Sequence, residues 1–103
     1  MPSSVKGERQ LAALGVQAAL DRGDRLVFAG PIYTLRKDPE AKVRLVFLRD
    51  EEKRIAVGYA RLEGNDWYPV EHEPFTMRAF GYYERRLKRI GDRVDPKDRQ
   101  TDW

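Results

Sequence analysis

The sequence predicts a small α+β domain: an N-terminal helix, an antiparallel meander of four to five strands, and a C-terminal helix packed on the sheet. Three observations predict it. Apolar residues recur at helical spacing near both ends of the chain. Between them lie short runs rich in β-branched and aromatic residues, separated by polar turn signals. The connections between those runs are too short for parallel crossovers, so neighbouring strands must form hairpins. A small SH3-like barrel flanked by helices is the alternative, because glycines at 30, 58 and 64 would allow the strands to kink and close.

The first helix is expected over residues 7–22, with Leu11, Leu14 and Ala18 on its inner side, Val16 and Leu20 close by, and Ser3 or Ser4 as its cap. Gly23 ends it. Gly15, unfavourable in mid-helix, is expected to permit close approach to a sheet. Arg25 to Ala29 reads as a strand that bends at Gly30-Pro31 and continues from Ile32 to Arg36. Asp38-Pro39 signals a loop. Val43 to Arg49 is apolar on both faces, as a central strand would be. After the polar turn Asp50-Glu51-Glu52-Lys53, Arg54 to Leu62 alternates Ile55, Val57 and Tyr59 with Ala56, Gly58 and Ala60, and the small residues are expected to face a helix. Glu63 to Asp66 is a turn, and Trp67 to Glu71 is a last strand that Pro69 assigns to an edge. Thr76 caps a second helix running to about Ile90, which Gly91 ends or weakens. Residues 1–6 read as a flexible start, 7–94 as the single domain and 95–103 as a polar tail.

Composition excludes several kinds of chemistry. The chain has 103 residues, one domain's worth, and no cysteine, which removes disulfides, thiolate zinc sites and cysteine nucleophiles. Its only serines, Ser3 and Ser4, leave a Ser–His–Asp triad without a credible nucleophile. No glycine-rich phosphate loop, signal peptide or membrane-length apolar run is present. His72 between Glu71 and Glu73 reads as a surface histidine at a strand end, since alternation places the two carboxylates opposite it. The acidic clusters Asp50-Glu51-Glu52 and Asp38/Glu40 are each followed by bases, as soluble hairpins are. Tyr33, Tyr59, Trp67 and Tyr68 are read as core or cross-strand aromatics, with a base-stacking platform as the other reading. Trp103 either folds back onto the domain or anchors a partner. The chain is therefore expected to be cytoplasmic and non-catalytic, and to need no cofactor or metal.

The charge is unevenly placed. Residues 1–75 balance twelve basic against twelve acidic residues, so the net +3 lies wholly in residues 76–103. On a helical wheel of residues 77–94, Phe80, Tyr83, Leu87, Ile90 and Val94 share one arc. Arg78, Tyr82, Arg85, Arg89 and Arg93 form a ridge on the far side, flanked by Arg86 and Lys88. Guanidinium forks match phosphate geometry and Tyr82 can stack on a base or sugar. The ridge is thus the candidate face for a nucleic-acid backbone. An acidic protein partner, met by the same ridge or by strand addition at the sheet edge, is the alternative. A merely solvated face is the plain reading beside both, with Asp92, Asp95 and Asp98 placed to neutralise part of it. The helix–strands–helix order is similar to that of double-stranded-RNA-binding domains. The basic cluster those domains carry at the start of their second helix is replaced here by Thr76-Met77-Arg78-Ala79-Phe80, so no residue role carries over.

Overall fold

A computed structural model describes residues 2–94, with side chains from Gly7 onward; the polar tail and Trp103 lie outside the described residues. Helix α1 (Pro2–Ala13) is followed by the short α2 (Val16–Asp21). Strands β1 (Val27–Leu35), β2 (Asp38–Arg49), β3 (Ile55–Glu63) and β4 (Asp66–Pro74) come next, then α3 (Met77–Ile90) and a three-residue β5 (Gly91–Arg93). The five strands form one antiparallel sheet in the order β4-β3-β2-β1-β5. The α+β class and the meander are those expected from sequence.

The N-terminal region departs from expectation. The single helix over 7–22 is two helices, because Gly15 takes the left-handed conformation (φ 66°) and ends the first one. The break rotates the apolar stripe: Val16, Ala19 and Leu20 are buried, whereas Leu14 and Ala18, expected to face inward, are exposed. Close approach is made by Gly7, not Gly15: a β-carbon at Gly7 would lie 3.0 Å from the Phe75 ring, while one at Gly15 would meet nothing. The helix also starts at Pro2, so it takes in residues 2–6, and Ser3 and Ser4 stand inside it rather than capping it.

The sheet buries two clusters, one on each face. Val43, Leu45 and Phe47 of β2, with Val57 of β3 and Ala29 and Tyr33 of β1, meet Ala79, Phe80, Tyr83 and Leu87 of α3 and Val16 and Leu20 of α2. The opposite face buries Val46, Leu48, Ala56 and Ala60 beneath Leu26 and Trp67. This reverses the expectation for β3, whose large residues face the helices while its small ones face away. The reason lies in β4, which curls over β3 so closely that a β-carbon at Gly58 would sit 1.8 Å from the Glu71 carbonyl oxygen. The curl brings β1 and β4 together at one corner although two strands separate them. The Phe28 and Trp67 rings pack edge-on at 5.6 Å, and Arg25 donates to the Trp67 carbonyl at 3.0 Å. The sheet is therefore strongly coiled but keeps two edges, β4 and β5, and is not the closed barrel of the alternative.

Several ends move. Asp38 and Pro39 begin β2 rather than forming a loop, and β4 runs on to Pro74. Gly30 to Ile32 stand opposite the single Arg44 of β2, making a bulge at the expected bend, and Arg44 Nε braces it by donating to the Gly30 carbonyl at 3.0 Å. Helix α3 begins as expected, with the Thr76 hydroxyl accepting from the Ala79 amide at 2.9 Å. It stops at Ile90, and Gly91–Arg93 pairs with β1 instead of adding a helical turn. Gly91 permits this, since a β-carbon there would fall 2.8 Å from the Thr34 carbonyl oxygen.

The arginine face of helix α3

Helix α3 is strongly amphipathic, and its burial pattern sets which side chains reach solvent. With Ala79, Phe80, Tyr83 and Leu87 against the sheet, Arg78, Tyr82, Arg85, Lys88 and Arg89 are exposed. The side chains of Arg78, Arg85, Arg89 and Lys88 make no hydrogen bond or ion pair among the described residues. Gly81 leaves a gap in the face, over which the Arg85 guanidinium lies: a β-carbon at Gly81 would be 3.1 Å from Arg85 Nη1.

Two of the expected site residues, Arg93 of the ridge and the flanking Arg86, do not join the exposed row. Arg93 is on β5, opposite Tyr33 and so on the helix-facing side of the sheet, because the helix ends before reaching it. The helical row thus runs from Arg78 to Arg89, about 16 Å of axis at the usual rise per residue. Arg86 is half-buried and already committed. Its Nη1 donates to both Glu71 carboxylate oxygens at 2.8 and 2.9 Å, and its guanidinium lies 5.4 Å from the Tyr59 ring centre. Burial disfavours its charge, but hydrogen bonding and the charge of Glu71 outweigh that and hold Arg86 above its ordinary value. It is a positioning residue for α3 on β4. It also donates weakly to the Tyr82 hydroxyl at 3.4 Å, which with the edge-on Tyr83 ring at 5.0 Å orients Tyr82 at the margin of the face.

Sequence reasoning missed Arg36. Its guanidinium donates to the carbonyls of Lys88 (3.3 Å), Arg89 and Gly91 (3.1 Å) and pairs with Asp92 at 3.0 Å. It therefore satisfies the last turn of α3 and occupies Asp92, the acidic residue that sequence placed against the ridge. No local signal could identify it, since Arg36 and the helix end are more than fifty residues apart in sequence.

The remaining candidates do not converge. Tyr33 is buried and Tyr59 lies beneath Arg86, whereas Trp67 packs on the opposite face and Tyr68 is exposed, so these four form no common platform. His72 is exposed opposite Gly58. Asp50 serves its own turn, accepting from the amides of Glu52 and Arg54 at 2.9 Å. Among the described residues no three His, Asp or Glu side chains are grouped to hold a metal ion, and no helix is long and apolar enough to cross a membrane. Comparison with protein-family models, curated proteins and solved structures found no match.

Proposed function

We propose that this chain is a cytoplasmic, non-catalytic binding module that meets a nucleic-acid backbone through the exposed face of α3. One contrast carries the reading. Several arginines elsewhere have partners of their own: carboxylates hold Arg22 (Asp24), Arg49 (Asp21), Arg54 (Asp50) and Arg61 (Asp38), and backbone carbonyls accept from Arg25 and Arg44. Arg78, Arg85 and Arg89 stand together in solvent with no such partner among the described residues. A single-sign row without carboxylate partners is where an external anion completes the pairing. The row addresses phosphates and carries no base code, so the expected binding is strong at low salt and nearly indifferent to sequence. Tyr82 beside it adds a stacking surface.

Fluorescence anisotropy with labelled duplex DNA and single-stranded RNA tests this. Arg85→Glu with Arg89→Glu is expected to weaken binding to every sequence alike and to reduce the salt slope by about two units, one for each phosphate the row no longer neutralises. Absence of binding to either nucleic acid at about 50 mM salt would overturn the reading, as would a reversed variant that binds like the parent. A second reading, a protein-interaction module, is favoured by a different observation. The β4 edge leaves Tyr68 and Val70 exposed beside unpaired backbone, a template for strand addition. Partner recovery that survives nuclease treatment distinguishes it.

A further inference from the structure

The arginine row of α3 ends beside a recess of about 390 Å³, which opens where β1 leaves the sheet at the last helical turn. Leu35 of β1 and Ile90 of α3 form its floor. Both touch the main core but are only half-buried, so each leaves an apolar edge open to the recess. Arg36 forms one side, and its guanidinium is fixed by the carbonyls of Lys88, Arg89 and Gly91 and by the Asp92 carboxylate. By filling those carbonyls, Arg36 offsets the negative end of the helix dipole, which would otherwise repel an anion there. Arg89 and Lys37, the latter from the turn between β1 and β2, complete the lining. Neither side chain makes a hydrogen bond or ion pair among the described residues. The acids next to this end in sequence, Asp38 and Asp92, pair with Arg61 and Arg36.

We propose that this recess receives one unpaired nucleobase, its ring on Leu35 and Ile90 and against the Arg36 guanidinium, with the adjoining phosphates met by Arg89 and Lys37. The inference rests on the nucleic-acid reading and narrows its ligand to a single strand. A base stacked and paired in a duplex could enter only by being flipped out, at a cost in free energy. Guanidinium planes are established stacking partners for exposed bases. Arg36 is already held in place, so a base that stacks on it orders no free side chain. The recess lies at the small end of ligand pockets, which suits one base and its sugar. Its lining of two aliphatic and three basic side chains holds no side-chain acceptor, so the base is taken by its face and its identity matters little.

Two comparisons on the full-length protein test the proposal. A single-stranded DNA octamer and the same octamer with every base removed carry the same phosphates. By fluorescence anisotropy the abasic strand is expected to bind about tenfold more weakly, with the same salt slope. Adenosine 5′-monophosphate and ribose 5-phosphate, followed by amide chemical shifts, then locate the base. The nucleotide should give saturable shifts centred on Leu35, Lys37 and Ile90, and the sugar phosphate should bind there about fivefold more weakly. Lys37→Gln, at an exposed turn position, should weaken both by about threefold. The proposal is overturned by equal binding of the two small ligands, by nucleotide shifts centred on Tyr82, or by a Lys37→Gln protein that binds the nucleotide like the parent. Octamers that bind equally also overturn it while the phosphate-binding row stands. If neither octamer binds, the nucleic-acid reading falls and this inference falls with it.

Discussion

Gly58 shows how a single missing side chain sets the shape of a sheet. The backbone of β4 passes over it, with the Glu71 carbonyl oxygen and the His72 α-carbon at 1.8 and 2.6 Å from where a β-carbon would be. Both obstacles are backbone, so neither can rotate away. Gly58→Ala is expected to destabilise the protein by about 2 kcal/mol or more in urea unfolding, since overpacking forces the strand to shift. A comparable constraint acts on Tyr83, which is 1% exposed, beside Glu71. Burial and then the Glu71 and Glu73 charges push its hydroxyl up to about 12. The native state therefore keeps this proton where the unfolded chain, at its ordinary value near 10, gives it up. This contribution to stability is whole below pH about 10 and declines as pH rises toward about 12. Glu71→Gln should bring the Tyr83 titration back toward its ordinary value, read from phenolate absorbance.

Helix α3 owes its limits to partners at both ends. Thr76 at the N-terminus lies within the local pattern and is legible there, as is the amphipathic stripe that decides which residues face water. The C-terminus depends on Arg36, which stands on the far side of the sheet's central hairpin in sequence but beside the last turn in space. Arg36→Ala is expected to cost about 1 kcal/mol in thermal or urea unfolding. Charge-assisted bonds to carbonyls are stronger than neutral ones, but this side chain is half-exposed and water partly replaces it. Amide exchange should quicken first at residues 88–93, the segment that Arg36 holds. The same end shows why Arg93 was misplaced by periodicity alone. Helical spacing continues through Val94, and only the strand partner at Tyr33 to Leu35 draws Gly91–Arg93 out of the helix.

At the scale of the molecule, the coiling of the sheet creates a second small core to which, among the described residues, no helix contributes a side chain. Leu26 and Trp67 cover Val46, Ala56 and Ala60, and the Phe28 ring packs edge-on against Trp67 from a strand that shares no ladder with β4. Phe28 is 38% exposed, so its truncation removes the ring that braces Trp67 without emptying the main core. Phe28→Ser is expected to cost about 1–2 kcal/mol, less than a fully buried aromatic would. In a Trp103→Phe background it should also red-shift Trp67 emission as water reaches the indole. Charge is likewise organised over the whole chain. Residues 1–75 hold equal numbers of acids and bases, and the fold pairs many of them with one another, as Asp21 with Arg49 and Asp38 with Arg61 show. Among the described residues no carboxylate pairs with Arg78, Arg85 or Arg89 of α3.

The sequence by itself determined the class of the fold, the meander, the edge position of the Pro69 strand, the Thr76 cap and the exposure of Arg78, Tyr82, Arg85 and Arg89. Each of these follows from periodicity or turn chemistry within a few residues, where local interactions dominate. Only the tertiary structure decided that Gly15 breaks a helix, that Ala56, Gly58 and Ala60 face away from the helices, that Arg86 belongs to Glu71, and that Arg36 holds the last turn of α3 while Arg93 joins β5. The last three depend on which distant backbone or carboxylate comes within reach once the sheet coils, and the break lies in the left-handed backbone that Gly15 takes. Neither periodicity nor turn chemistry records an interaction between residues so far apart in the chain.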